Sequence, residues 1–254
     1  MRKVSIILIA TLCAAGVAFA KLGDVAGSFP IPGGNQAGLG ISDNYLYVCN
    51  YSASRISLVH PTTGSIYRSF TAAGGTRTRG LAFQYSTILW QNKAYTSPYM
   101  IYRTNYLTGS IYNSYALPTG ITHGSAPLAT GDGGRGTSYI ILSSYGATST
   151  VYYMTTTGSI VRSHNANTYL YEIAYDWRNK LVWGGMNDGW VYGFTTTGSR
   201  VTSFRKPTGN VYGITYYGEY LWVGGVTGYI YRQHCPNNLG VTPTSMGKIK
   251  GMFR

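Results

Sequence analysis

Charge is what this chain has least of. Only 11% of its residues are Asp, Glu, Lys or Arg, less than half of the ~25% usual in soluble proteins. That scarcity excludes a coiled coil or another long solvent-exposed helix, whose outer face needs charge. Acids are scarcer still, seven against twenty Lys and Arg. There are three cysteines and four histidines, too few for a disulfide-stapled scaffold or a Cys/His zinc cluster. The one long apolar run, Val4 to Ala15, is shorter than the ~20 residues of a membrane span. No paired carboxylates, nucleophile motif or metal-ligand spacing stands out, so the residues name no catalytic group, metal or cofactor. What is plentiful is core and turn material: 44% hydrophobic residues, 34 Gly and 25 Tyr, a composition that argues against disorder.

Arg2 and Lys3 precede the apolar run, and Ala18-Phe19-Ala20 supplies a small-x-small cleavage pattern. Residues 1–20 are expected to be a signal peptide removed before Lys21. Removal takes the chain from 254 to 234 residues and from +13 to +11. The expected product is secreted or held at the cell surface, with no membrane span.

A repeat organises the rest. Thr62-Thr63-Gly64-Ser65-Ile66-Tyr67-Arg68-Ser69-Phe70 returns at Leu107–Tyr115, Thr156–His164 and Thr196–Phe204. The glycine suits a tight hairpin turn, and strand formers follow it. Upstream of each copy lies a further hairpin, as in Gly38–Ile41 with Tyr45–Val48, Gly80–Phe83 with Thr87–Trp90, Glu172–Tyr175 with Lys180–Trp183 and Gly213–Tyr216 with Tyr220–Val223. Four short strands recurring every ~40–50 residues are the dimensions of a propeller blade. The last unit lacks its fourth strand, and Gly23–Phe29 repeats the Gly, Ser and aromatic of that strand. The expected fold is all-β: a five-bladed β-propeller of four-stranded blades over residues 21–235. Its N-terminal strand completes the C-terminal blade, and an irregular basic tail follows over 236–254.

Gly80-Leu81-Ala82-Phe83, Tyr220–Gly225 and Pro61–Ile66 resemble repeats of the YVTN, NHL and streptogramin-lyase-like propeller families. The resemblance covers nearly all of residues 23–234. It implies blade construction, with ligand sites on the face bearing the loops between blades. Lyases of this kind use top-face histidines and a glutamate to bind a divalent metal, whereas here that face carries His123 and Asp188 alone.

Placing side chains on the two faces yields a charge split. Arg77, Arg79, Lys93, His123, Arg205 and Lys206 are expected on the top, whereas Asp43, Asp132, Asp176 and Glu219 are expected in turns on the opposite face. Complementary faces on one molecule suit head-to-tail stacking, which makes filaments when it does not close; ordinary solvated turns would have the same composition. His164 takes the repeat's aromatic slot and reads as structural, and Trp90, Trp183 and Trp222 read as packing between blades. Cys49, ending one strand, and Cys235, just past another, are expected toward the top and the opposite face respectively, leaving free thiols, an intramolecular bridge or an intermolecular bridge open. The expected function is an exported, non-catalytic structural or assembly module forming a homo-oligomer or polymer, with no nucleic-acid partner. A surface module binding acidic polysaccharide or other glycans through the basic face is the first alternative. A lyase-like or cyclotransferase-like enzyme is the second.

Overall fold

The structure, a computed structural model, describes residues 20–239 except Asn35, Gly74, 76–77, 85–86, 94–96, Pro98, 118–120, 122–127, 131–138, Tyr145, Thr227 and Asn238. Arg77, His123, Asp132, residues 1–19 and the tail beyond Leu239 lie outside the described residues. Among those described there are twenty strands and no helix, arranged as five antiparallel sheets of four.

The first blade holds β2 (Gln36–Ile41), β3 (Leu46–Asn50), β4 (Arg55–Val59) and β5 (Ile66–Thr71). The second holds β6 (Thr78–Gln84), β7 (Ile88–Lys93), β8 (Met100–Asn105) and β9 (Ile111–Ala116). The third holds β10 (Leu128–Thr130), β11 (Tyr139–Ser143), β12 (Thr150–Thr155) and β13 (Ile160–Asn165). The fourth holds β14 (Glu172–Asp176), β15 (Leu181–Gly185), β16 (Trp190–Thr195) and β17 (Arg200–Arg205). The fifth runs β18 (Gly213–Tyr217), β19 (Tyr220–Gly224), β20 (Tyr229–His234) and then β1 (Val25–Pro30) from the other end of the chain. The inner strands β2, β6, β10, β14 and β18 each touch the next, and β18 touches β2, closing the ring.

The expected closure by the N-terminal strand is present. β1 pairs with β20 from Val25 opposite Gln233 to Pro30 opposite Tyr229. Gly23 N–H donates to His234 O, and His234 N–H donates to Asp24 O, at 2.9 and 2.8 Å. One blade built from both chain ends makes the last strand's hydrogen bonds a condition of ring closure.

The repeated residues have a common packing reason. Gly23, Gly64, Gly109, Gly158 and Gly198 all have φ between 73° and 97°, a region costly for any L side chain. Each also abuts the aromatic that ends the preceding blade's outer strand. A Cβ would stand 2.3 Å from Phe29 at Gly64, 2.5 Å from Phe70 at Gly109, 3.4 Å from Tyr115 at Gly158, 2.7 Å from His164 at Gly198 and 2.8 Å from Phe204 at Gly23. Two features of one nine-residue phrase thus meet across every blade boundary. The shared serine also has a partner: Ser28, Ser114, Ser163 and Ser203 lie opposite Tyr231, Tyr102, Tyr152 and Tyr192, where a small residue leaves room for the ring. In the first blade Ser69 lies opposite Ser57 and their hydroxyls are 3.1 Å apart.

Trp90, Trp183 and Trp222 are buried between blades. Their indole N–H groups donate to Gln84 Oε1, Asp176 Oδ2 and Pro61 O at 3.1, 3.4 and 3.1 Å, as buried tryptophan requires.

His164 departs from the aromatic of the other four copies. Its half-buried ring lies 5.7 Å from Tyr153, and burial followed by the Arg162 charge lowers its pKa. The unfolded chain, with histidine near ~6.5, takes up the proton first, so this contribution to stability is present above that pH and lost as pH falls below it. His164→Phe is expected to flatten the fall in Tm between about pH 7.5 and 5.5. Thermal melts across that range check it, and an unchanged slope would exclude His164 as the source.

Candidate functional site

The central channel is divided along its axis. Near the turns that follow the inner strands lies a cavity of about 50 Å³ whose lining mixes Ile41, Leu81, Phe83 and Ile173 with Ser42, Thr130 and Thr215. At the opposite, upper end stand ionisable side chains. Arg79, on β6, is 2% exposed, and its guanidinium lies 5.5 and 5.2 Å from the Tyr171 and Tyr212 ring centres across the channel. Those rings are 4.8 Å apart. Glu172 begins β14 and is fully buried.

Close approach of the inner strands determines what fits here. A Cβ on Gly38 would fall 1.6 Å from Arg79 O, and one on Gly213 1.9 Å from the Gln36 amide. Where three aligned repeats have Gly38, Gly80 and Gly213, the fourth has Glu172, so the missed carboxylate was visible as a departure from the repeat. Cys49 Sγ donates to Thr78 O at 3.1 Å; burial, then the Glu172 charge, pushes the thiol up. Such a thiol is a weak nucleophile.

The six side chains expected to form one basic top face do not stand on one surface. Arg79 is in the channel. Lys206 is buried, donates from Nζ to Thr208 O and lies 5.2 Å over the Tyr231 ring; burial lowers its pKa to about 8. Lys93 is half-buried and Arg205 exposed, whereas Arg77 and His123 lie outside the described residues.

The opposite face is thinned in the same way. Asp43 is exposed and accepts from Tyr217 OH at 2.7 Å. Glu219 is exposed and accepts from Asn237 Nδ2 at 2.8 Å. Asp176, in contrast, is fully buried. It accepts the backbone N–H groups of Arg178 and Asn179 at 3.0 and 2.9 Å and the Asn179 side chain at 2.7 Å. It is a turn organiser, and Asp132 lies outside the described residues. Cys49 and Cys235 are free and wholly buried, so neither presents sulfur for a bridge to another molecule. Among the described residues no three His, Cys, Asp or Glu gather closely enough to hold a metal.

The outer rim carries what the faces do not. Val25, Ile66, Tyr67, Ile111, Tyr112, Ile160, Val161 and Val201 are between 39% and 66% exposed. All lie near the start of the outermost strand of a blade. A bulge in every one of these strands explains the doublets: the partner strand skips Tyr67, Tyr112, Val161 and Val201, and Ala26 in β1. In β5, β9 and β13 the extra residue keeps two consecutive apolar side chains away from the core; in β17 the pair is Arg200-Val201, and in β1 Val25 stands beside a half-buried Ala26. Two apolar residues in succession on an end strand were the available sequence signal, because strand side chains alternate between faces.

No protein-family model and no curated protein matches the chain. Among solved structures it is similar to the crystal structure of Myxococcus xanthus glutaminyl cyclase, with a TM-score of 0.65 over 83% of this chain and 95% of that one, at 10% identity. That neighbour is also a five-bladed propeller. The likeness shows the fold alone. The repeat resemblance is therefore supported at the level of a β-propeller, and the finer YVTN, NHL or streptogramin-lyase-like assignment is not.

Proposed function

We propose that this chain is an exported, non-catalytic assembly module that associates with further copies through the rim of its propeller. The observation carrying this reading is the exposed apolar side chains at the start of the outer strands, in doublets on β5, β9 and β13 and singly on β17 and β1. End strands offer unpaired backbone groups, and apolar side chains beside them favour pairing with another chain. The net charge of +11 from Lys21 onward opposes contact between copies, so the apolar rim has to outweigh it; tyrosine supplies amphipathic area suited to interfaces. The expected head-to-tail stacking of charged faces has less support, because Arg79, Lys206 and Asp176 are buried.

The mature chain from Lys21 is expected to sediment as dimers or larger species, in proportions that rise with concentration. Because the contact is largely apolar, association is expected to persist or strengthen in sulfate rather than dissolve with added salt. Sedimentation velocity with negative-stain microscopy checks both points. Monodisperse monomer at every concentration and salt would refute the proposal.

A further inference from the structure

The five rim edges are not equivalent, and the difference selects one of them. Beyond its bulge, β5 carries Arg68, β13 carries Arg162, β17 ends in Arg205 and β1 ends in Pro30. Charge and proline are the usual means of protecting an exposed edge. β9, Ile111-Tyr112-Asn113-Ser114-Tyr115-Ala116, has neither, and all its residues but Tyr115 are exposed.

The direction of its backbone groups follows from the ladder. Leu117 N–H donates to Tyr99 O at 2.9 Å, so Tyr99 and Leu117 form a hydrogen-bonded pair. Ile101 with Tyr115 and Arg103 with Asn113 occupy the next such positions. Hydrogen-bonded and open pairs alternate in antiparallel sheet, so the amides and carbonyls of Ser114 and Ala116 point away from the blade.

We infer that β9 is a homodimer edge whose partner is β9 of a second copy, paired antiparallel about a two-fold axis at Ser114. This rests on the rim-association reading and names its contact. A two-fold antiparallel pair must place one residue opposite itself. Centring it on Ser114 uses the outward backbone groups and sets Asn113 opposite Tyr115 and Tyr112 opposite Ala116. β9 itself brings no charged residue into the contact, and the nearest charge, the Arg103 guanidinium of β8, lies 5.9 Å from the Tyr112 ring centre; this matters for two copies that each carry +11 after loss of the leader, because like charges facing one another across strands are destabilising. The edge is short, below the ~1,200 Å² of total buried area expected of a stable interface. The pair is accordingly weak and depends on concentration.

The test uses the mature full chain. Ala116→Lys sets a cation on the edge and, by symmetry, enters the contact twice; the dimer constant is expected to weaken roughly tenfold. Thr71→Lys, at the matching exposed position of the β5 edge and outside its apolar doublet, is expected to leave it unchanged. Ser114→Cys supplies a second readout. The register puts the two Cα atoms about 5.5 Å apart, within disulfide range. Oxidation by copper–phenanthroline, taking two protons and two electrons from the paired thiols, should yield a covalent dimer, and Ser69→Cys on β5 should not. Wild-type association left intact in Ala116→Lys, or no crosslink in Ser114→Cys, overturns the β9 edge while leaving rim association standing. A wild-type chain that never associates overturns both.

Discussion

Gly64→Ala is expected to destabilise the folded ring by roughly 2–5 kcal/mol. The left-handed backbone contributes ~1–2 kcal/mol, and forcing a methyl into a packed site ~1–3 kcal/mol. At Gly64 both operate, because φ is 73° and a Cβ would stand 2.3 Å from Phe29. Gly109→Ala is expected to follow closely, with its Cβ 2.5 Å from Phe70. Gly158→Ala separates the two causes. Its φ is 97°, but the nearest Tyr115 atom is 3.4 Å away, an ordinary contact, so about 1–2 kcal/mol from the backbone alone is expected. Urea unfolding of the three variants checks the order, and equal losses at Gly64 and Gly158 would show that contact across the blade boundary contributes nothing.

Asp176→Ala is expected to cost about 3–5 kcal/mol. The carboxylate accepts the N–H of Asn179 at 2.9 Å, its side-chain amide at 2.7 Å and the Trp183 indole at 3.4 Å. Cys235 Sγ is also 3.4 Å away. Removing a buried charged acceptor leaves several donors without it, each worth ~1–3 kcal/mol and not fully additive. Asp43→Ala is expected to cost less than about 1 kcal/mol, because its contact with Tyr217 OH is exposed and surface charges contribute little. Comparing the two by thermal unfolding distinguishes a buried turn organiser from an acid displayed on a face. Similar small losses would return Asp176 to the surface role that its sequence position suggested.

The rim and the channel differ in how far they can be read from the chain. Consecutive apolar residues follow Gly-Ser in three of its four copies, but the bulge that turns both outward is a property of pairing with the neighbouring strand. Glu172 is visible as the carboxylate standing where Gly38, Gly80 and Gly213 recur. That its charge reaches Cys49 on another blade depends on the inner strands converging at the channel. Arg79, Lys206 and Asp176 read as loop or turn charges because local sequence gives their position along a strand, not the direction of the side chain.

The sequence by itself determined the number of blades, the four-strand unit and the use of the N-terminal strand to complete the last blade. Turn chemistry and repeat length are local, and a strand missing at one end and present at the other is a matter of counting. Tertiary structure alone decided which charges are displayed and which are buried, because burial depends on what the adjoining blade places beside a residue. It also decided why the repeated glycine and aromatic belong together: they lie in one phrase, yet each glycine meets the aromatic of the preceding blade, a contact that exists only once the blades pack side by side.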